Sequence, residues 1–192
     1  MNSIDVPGVT GPDGVRAVSK AASRVVIRVG GVADRGVVLA LWDTAIAWLV
    51  QRGQPQQWGR EPASSRPRTR EMVDQWLGEP GLRIAEIDGR PVGASVVGTQ
   101  PPAHVPATPL RETYLLFLIS DRRHAGLGIG CELVRRAAAE AREAGSQVLR
   151  VDCWAGAPAL VAWYERQGFT RSENFTVEVR GPWHGQVFEM RL

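Results

Sequence analysis

The chain has 192 residues, 44% of them hydrophobic, and a formal net charge of +3. This length allows one full hydrophobic core, so we expect a single domain over residues 23–192 behind a flexible leader at residues 1–22. The leader lacks the apolar segment of a signal peptide, and the most apolar run, Val37–Val50, is shorter than a membrane span. Because the arginines that supply the charge are scattered, neither a membrane nor a nucleic acid is an expected partner.

The two cysteines, Cys131 and Cys153, show neither metal-ligand nor disulfide-framework spacing. The histidines also lack the spacing of metal ligands. We therefore expect no metal site and a reducing, cytoplasmic location for the protein.

A strand followed by a helix is predicted at the start of the domain. Val25–Val32 is rich in Val and Ile, which favours an extended strand. Asp34 is a suitable N-cap for a helix that runs to about Gln51, where Gly53 ends it. The segment Gln54–Arg68 carries Pro, Gln, Ser and Arg without any period, which predicts a surface loop on the substrate side.

A short helix and a hairpin are predicted next. Thr69 is expected to cap a helix that continues through Trp76. The apolar-rich runs Leu82–Ile87 and Val92–Val97 flank a tight turn in which Asp-Gly tolerates a positive φ. Pro91 is expected to stay outside the strand pairing, since it has no N–H to donate. The pattern predicts two antiparallel strands.

The residues that most strongly indicate a ligand site follow the next predicted strand. Thr113–Ile119 is almost continuously apolar, as expected of a central strand covered on both faces. It leads through Arg122 and Arg123 to the glycine loop Gly126–Gly130, where an amphipathic helix begins that stops at Gly145. Glycines at a helix start let backbone amides approach an anion, and the helix dipole and bidentate arginines favour phosphate there.

A glycine loop of this kind can also be a plain strand-to-helix connection without a ligand. Among phosphate-binding loops, a Walker loop is excluded because no Gly-Lys-Ser/Thr occurs in the chain. If the loop is aligned with a dinucleotide fingerprint, Cys131 stands where the third glycine is required. In addition, Ser120–Ala125 separates the strand from the glycines, whereas a dinucleotide turn opens almost directly from its strand. These two features argue against a dinucleotide.

The segments downstream decide the class. Gln147–Trp154 predicts a strand, and Pro158–Gln167 predicts a short helix. The run Arg123–Val134, followed by Leu160–Phe169, closely resembles the GNAT superfamily of N-acetyltransferases. The similarity of the motifs is strong over Leu115–Phe169, and the order of elements agrees along the rest of the domain.

The resemblance implies the acyl-CoA N-acyltransferase fold, an α/β (α+β) architecture. This fold has a mixed, mostly antiparallel sheet of about seven strands, splayed between strands 4 and 5, with helices on both faces. Acetyl-CoA is the implied cosubstrate, and its pantetheine arm would lie in the splay. The implied cofactor-binding residues are Leu118, Ile119, Ser120, Arg122, Arg123, Ala125, Gly126, Leu127, Gly128, Ile129, Gly130 and Cys131. Ala125 and Ala157 depart from the family pattern, because polar cofactor-contacting residues commonly stand at these two positions.

The resemblance also implies roles for catalytic side chains. Tyr164 would protonate the departing CoA thiolate, and the alternative is that it only packs between helix and sheet. An attacking amine must lose a proton, and Asp152, acting through water, is preferred as the base over Glu112 at the start of the fourth strand. Both carboxylates also suit structural roles. Cys131 is not expected to relay the acyl group, since it lacks an adjacent histidine and base.

The last two predicted strands, Phe175–Arg180 and Gln186–Leu192, are expected to form the wall of the acceptor site. The sequence therefore predicts an N-acetyltransferase that moves the acetyl group of acetyl-CoA to a primary amine of a small molecule or a protein N-terminus, by direct attack in a ternary complex. The alternative is a non-catalytic acyl-CoA-binding sensor, which the departures at Ala125 and Ala157 keep open. Both a monomer and a homodimer fit the sequence.

Overall fold

The computed structural model describes residues 25–178 and 181–192. Both the predicted leader at residues 1–22 and the end of the predicted strand Phe175–Arg180 lie outside the described residues. The helices and strands of the described part are, in chain order, β1 (Val26–Val29), α1 (Arg35–Gln51), α2 (Pro67–Gly78), β2 (Leu82–Ile87), β3 (Arg90–Gly98), β4 (Glu112–Ser120), α3 (Ile129–Glu143), β5 (Val148–Trp154), α4 (Pro158–Arg166), β6 (Thr170–Glu178) and β7 (Pro182–Arg191).

The described strands form one seven-stranded sheet in the order β1-β2-β3-β4-β5-β7-β6. All neighbours pair antiparallel except β4 and β5, which are parallel. Parallel neighbours need a crossover connection, and α3 supplies it between β4 and β5. This arrangement confirms the predicted mixed, mostly antiparallel sheet.

The β4–β5 pair is open along most of its length. Only Glu112–Tyr114 of β4 pairs with β5, opposite Val148–Arg150. Both strands continue well beyond these residues, to Ser120 and Trp154. The strands therefore separate after three residue pairs, which confirms the splay that the family resemblance implied.

Helices cover both faces of the sheet. On one side, called the front face here, α1 packs Trp42 and Ile46 in a buried cluster with Phe117 of β4. On the other side, the back face, α3 and α4 bury Val134 and Val161 in a cluster with the central strands. Alternate residues of each strand point to opposite faces, so the sheet brings its side chains to two separate environments.

A one-residue bulge interrupts the alternation in β4. Val96 of β3 lies opposite Phe117, whereas the next residue, Val97, lies opposite Leu115, so Leu116 has no partner in β3. An extra residue of this kind shifts the side chains beyond it to the other face. As a result Phe117 joins the front cluster with α1, although it follows Tyr114 by three residues and Tyr114 also faces the front.

Three local predictions need correction or refinement. Asp34 stands at the N-cap position of α1, but its carboxylate accepts from Gly31 N (2.9 Å) and pairs with Arg28 instead of capping the helix, because a 3₁₀ turn precedes α1. The prediction of Thr69 as the N-cap of α2 is wrong. The helix begins at Pro67, whose fixed φ and missing N–H suit the first helical position.

The prediction for Pro91 is also wrong. Pro91 lies inside β3, opposite Glu86, next to an irregularity in the pairing between Ala85 and Glu86. A proline is tolerated at such a point because the ladder is already interrupted there. The turn before it is as predicted, with positive φ at Asp88 (51°) and Gly89 (71°).

Candidate active site

The glycine loop presents open backbone at the start of α3. Gly126 and Gly128 have φ values of +87° and +75°, and a Cβ at either position would meet no atom within 4 Å. Gly128 is the N-cap of α3 and supplies no side-chain cap, so the first-turn amides keep their hydrogen-bonding capacity. Left-handed glycines and uncapped amides together form a cradle for an anionic group.

Asp121 fixes the chain between β4 and this loop. Its carboxylate is almost fully buried, accepts from Arg123 N at 2.9 Å and from Arg123 Nη2 at 2.7 Å, and so caps the 3₁₀ turn Arg122–His124. The hydrogen bonds from Arg123 hold the pKa of Asp121 below its ordinary value, despite the opposing effect of burial. Asp121 was not among the residues predicted for the site, although an Asp directly after a strand is a common turn signal.

The two arginines predicted to contact phosphate both have partners within the chain. The guanidinium of Arg122 lies 4.3 Å from the ring centroid of Trp48, and Arg52 lies 4.5 Å from the same ring. Arg123 is bound to Asp121 through its guanidinium, although most of its side chain is exposed. The structure therefore places three positive charges at the rim of the loop, each held in position by a neighbour.

The predicted backbone contacts lie on the open part of β4. Leu118, Ile119 and Ser120 pair with β3 on one edge and have no β5 partner on the other. Backbone N–H and C=O groups on such an edge need hydrogen-bond partners other than a strand. The open edge leads directly to the glycine loop, so it suits an extended ligand that carries amides along its length and phosphates at its end.

Tyr164 lies on the back face, near the end of β5 that has no partner in β4. Its buried ring packs against Trp163, Phe169 and Phe188, with ring centroids 5.0, 5.7 and 5.3 Å away. Among the described residues the Tyr164 hydroxyl has no hydrogen-bond partner. Burial raises the pKa of Tyr164 well above its ordinary value, and likewise raises the pKa of the neighbouring Cys153 thiol to about 12. Both groups therefore hold their protons at neutral pH.

Asp152 lies on the front face of β5 and is bound to a buried tyrosine. The Tyr114 hydroxyl donates to Asp152 Oδ1 at 2.5 Å, and Tyr114 is fully buried. Burial raises the pKa of Asp152, while the hydrogen bond from Tyr114 and the nearby imidazole of His104 oppose that increase. Tyr114 was not among the residues predicted for the site. Its only signal was a phenol within the otherwise apolar run of the central strand.

Glu112 belongs to a buried ion cluster. The guanidinium of Arg150 is completely buried and lies within 3.4 Å of three carboxylates: Glu112 (3.3 Å), Glu173 (3.1 Å) and Glu189 (3.4 Å). It also donates to Pro106 O at 3.0 Å. The structure thus gives Glu112 a charged partner next to the last residues that β4 and β5 pair.

The predicted acid and base lie on opposite sides of one strand. Tyr164 packs on the back face of β5, in the cluster that contains Cys153, whereas Asp152 faces the front with Tyr114. Burial is the main cause of the raised pKa of Tyr164, and the charges of Cys153 and Asp152 raise it further. A phenol and a carboxylate therefore lie on the two faces of β5 near the end where the sheet opens.

A cavity of about 440 Å³ lies elsewhere, between α4 and the β6–β7 hairpin. It is lined by Pro158 and Val161 of α4 and by Asn174, His184 and Gln186 of the hairpin. These hairpin residues alternate with Val187, which pairs with Asp152 and faces the front. Because Phe175 and Gly185 also line it, the cavity lies mostly on the back face but extends to Phe175, which packs in the cluster of Tyr114.

Two kinds of feature are absent from the described part of the chain. Across residues 25–178 and 181–192, no three His, Cys, Asp or Glu side chains are grouped so that they could hold a metal ion. None of the helices in the same ranges has both the length and the apolar character that a membrane crossing requires.

Known structures share this fold over most of their length. A ribosomal-protein-alanine N-acetyltransferase from Brucella melitensis is 23% identical, with a TM-score of 0.64 over 87% of this chain and 99% of that chain. The Salmonella typhimurium protein yncA, solved with its cofactor acetyl-CoA, is 19% identical, with a TM-score of 0.63 over 88% and 95%. The ribosomal-protein-S18-alanine N-acetyltransferase from Escherichia coli is 14% identical, with a TM-score of 0.61 over 88% and 94%.

The sequence itself identifies the family. A sheet splayed at one parallel pair, with a glycine loop at its open end, defines the class of acyltransferase folds to which these structures belong. The model of the acetyltransferase (GNAT) family matches residues 45–169, well over half of the chain. The chain belongs to the GNAT family of acetyltransferases. No curated protein matches the sequence.

Proposed function

We propose that the protein is an acetyl-CoA-dependent N-acetyltransferase, which transfers the acetyl group to a primary amine of a small molecule or a protein N-terminus. The amine attacks directly while both substrates are bound. The observation that carries this proposal is the unpaired edge of β4, which leads from the Tyr114–Asp152 pair to the glycine loop. The membership of the family supports acetyltransfer, and the arrangement of side chains supports an amine acceptor.

The chain can hold the cosubstrate with three groups of residues. The backbone of Leu118–Ser120 offers hydrogen bonds to the amides of the pantetheine arm. The amides that follow Gly126 and Gly128 offer hydrogen bonds to the pyrophosphate. Arg122 and Arg123 add positive charge at the rim. When bound, acetyl-CoA supplies the thioester whose acetyl group is transferred and whose thiol leaves.

Tyr164 serves as the general acid. Its hydroxyl keeps its proton at neutral pH because burial disfavours the phenolate. The hydroxyl is also free of hydrogen bonds to the described residues, so its proton is available to a strongly basic leaving group. A positioned acid of this kind accelerates a reaction by about 10²–10⁴-fold.

Asp152 serves as the proton acceptor for the attacking amine. It carries a hydrogen bond from Tyr114 and no arginine partner in the described ranges, whereas Glu112 is bound to the buried Arg150. A carboxylate whose pKa is raised by burial is a better base than an ordinary surface carboxylate. We therefore prefer Asp152 to Glu112 and give Glu112 a structural role.

Because Cys131 and Cys153 are both free thiols, we place the reaction in the cytoplasm.

The experiment has two measurements on the purified protein. Calorimetric titration with acetyl-CoA and with CoA measures binding, and release of the CoA thiol in the presence of an amine panel measures turnover, with mass spectrometry to identify the acetylated amine. We expect binding of both cofactors and amine-dependent thiol release. Tight binding without acetylation of any amine would instead support a non-catalytic acyl-CoA sensor, and absence of binding would refute both functions.

A further inference from the structure

Three aromatic side chains from three segments form a row on the front face of the sheet. The ring centroids of His104 and Phe175 are 4.9 Å apart, and those of Phe175 and Trp183 are 5.8 Å apart. The Trp183 indole N–H then donates to Gln56 O at 3.0 Å, in the loop between α1 and α2. We call His104, Phe175 and Trp183 the aromatic row.

The row begins beside Asp152. The imidazole of His104 lowers the pKa of Asp152, against the larger effect of burial. Phe175 shares a cluster with Tyr114, whose hydroxyl binds Asp152, and with Val187, which pairs with Asp152 across the β5–β7 ladder. The aromatic row therefore extends from the proposed base toward the loop that contains Gln56.

Gly185 of the hairpin allows the central ring of the row to approach the sheet closely. A Cβ at Gly185 would lie 2.2 Å from the Phe175 ring, so only glycine leaves room for the ring at this position. Phe175 and Trp183 are half-buried and His104 is exposed, so all three rings retain accessible surface. Accessible ring faces in a row offer an apolar, electron-rich surface for a planar group or a cation.

The charges around the row favour a cationic ligand. Asp152 and the three glutamates around Arg150 place four carboxylates on this part of the molecule, opposed by two guanidinium groups, those of the buried Arg150 and of the mostly exposed Arg191 beside Glu189. This excess of negative charge attracts an ammonium group and repels a carboxylate. The aromatic row and the carboxylates thus select different parts of one ligand.

We propose that the acceptor is an arylalkylamine, whose aromatic ring packs along His104, Phe175 and Trp183 while its ammonium group faces Asp152. This assignment of a substrate class rests on the proposed N-acetyltransferase function. Amines that carry a carboxylate beside the amino group are poor acceptors, because the same negative charges repel that carboxylate. Aliphatic amines of equal size gain only apolar burial and lose the aromatic contacts.

The test compares matched amines with the full chain and acetyl-CoA. The kcat/KM for 2-phenylethylamine is measured against 2-cyclohexylethylamine, which has nearly the same shape, against phenylalanine, which adds a carboxylate, and against spermidine. We expect 2-phenylethylamine to exceed the cyclohexyl compound by about 3- to 10-fold, the range that aromatic contacts provide, and to exceed phenylalanine by a larger factor.

Substitutions in the aromatic row test which residues produce the preference for the aromatic amine. Phe175→Leu and Trp183→Leu should remove the preference for the aromatic amine by raising KM, while the KM for acetyl-CoA stays unchanged. Phe175→Tyr should retain the preference. His184→Ala is the matched control, because His184 belongs to the same hairpin but lies on its back face with Thr176. It should leave both amines unaffected.

The outcomes separate this inference from the proposed function. Acetylation of amines without an aromatic preference, or with spermidine as the best substrate, would overturn the inference and leave the N-acetyltransferase function intact. A preference for the aromatic amine that survives both leucine variants would overturn the role of the aromatic row. No turnover with any amine, despite binding of acetyl-CoA, would overturn both proposals.

Discussion

The two edges of β5 are used in different ways. Toward β7, all seven residues from Val148 to Trp154 have partners, whereas toward β4 only Val148–Arg150 do. The fully paired edge gives a rigid support for the side chains of β5. The open edge leaves backbone groups of β4 and β5 without strand partners, which is costly unless a ligand or water satisfies them. One strand thus combines a structural edge with a binding edge.

A buried ion cluster lies where the paired part of the β4–β5 edge meets the open part. Arg150 is the last residue of β5 that pairs with β4, and its buried guanidinium joins carboxylates from β4, β6 and β7. The cluster therefore holds together the strands at the closed end of the splay. Substitutions at the paired edge should mainly change stability, and substitutions at the open edge should mainly change catalysis.

The largest expected effect is on stability, from loss of the buried cation. Arg150→Met should lower the free energy of unfolding by about 3–5 kcal/mol, because three carboxylates near the guanidinium would lose their counter-charge. Chemical denaturation followed by tryptophan fluorescence measures this. Arg191→Met is the control, since Arg191 is mostly exposed and its contact with Glu189 is 3.5 Å; its effect should stay within about 0.5 kcal/mol. Equal stabilities for the two variants would contradict a structural role for the cluster.

The next effect is on turnover at the open edge. Tyr164→Phe should lower kcat about 10²-fold or more, with little change in the Kd for acetyl-CoA, because the hydroxyl is the proposed acid and binds none of the described residues. Stability should be preserved, since the ring contacts remain. Steady-state kinetics and calorimetry measure the two quantities. An unchanged kcat would show that Tyr164 only packs.

A third prediction concerns the cradle at the end of the open edge. Gly128→Ala should destabilise the protein by about 1 kcal/mol and weaken acetyl-CoA binding, because alanine disfavours the φ of +75°. Gly36→Ala is matched to it, since a Cβ at either glycine would meet no atom within 4 Å and Gly36 lies in α1. That change should stabilise the protein by about 0.5–1 kcal/mol without affecting the cofactor. Thermal unfolding and titration distinguish the two outcomes.

The smallest expected effect at neutral pH is a shift in the pH profile. The hydrogen bond from Tyr114 favours the ionised form of Asp152, so Tyr114→Phe should raise the pKa of Asp152 further. A base is active when deprotonated, and the acidic limb of the kcat/KM profile should therefore move to higher pH. Tyr164→Phe should leave this limb in place. A profile for Tyr114→Phe with an unmoved acidic limb would exclude Asp152 as the base.

The elements with strong local signals could be predicted from the sequence. The apolar run of β4 and the motifs around the glycine loop carry the family resemblance, and that resemblance predicted both the splay and its expected ligand. The prediction of Thr69 as the N-cap of α2 was wrong because Pro67 and Thr69 are both acceptable helix starts, and only tertiary packing decides between them. The Tyr114–Asp152 bond and the cluster around Arg150 were missed because each joins residues far apart in sequence. Such pairings depend on strand register, which periodicity alone does not give.

The bulge at Leu116 constrains how this gene can change in length. Deletion of this one codon would restore regular alternation between β3 and β4, and would leave Tyr114 and Phe117 two positions apart, so that both still face the front. Insertion of a further residue between them, without a second bulge, would instead turn one of the two to the back face and remove either the partner of Asp152 or the ring packed against Trp42. Between Tyr114 and Phe117, loss of the unpaired residue is therefore expected to be tolerated in evolution better than gain of a residue.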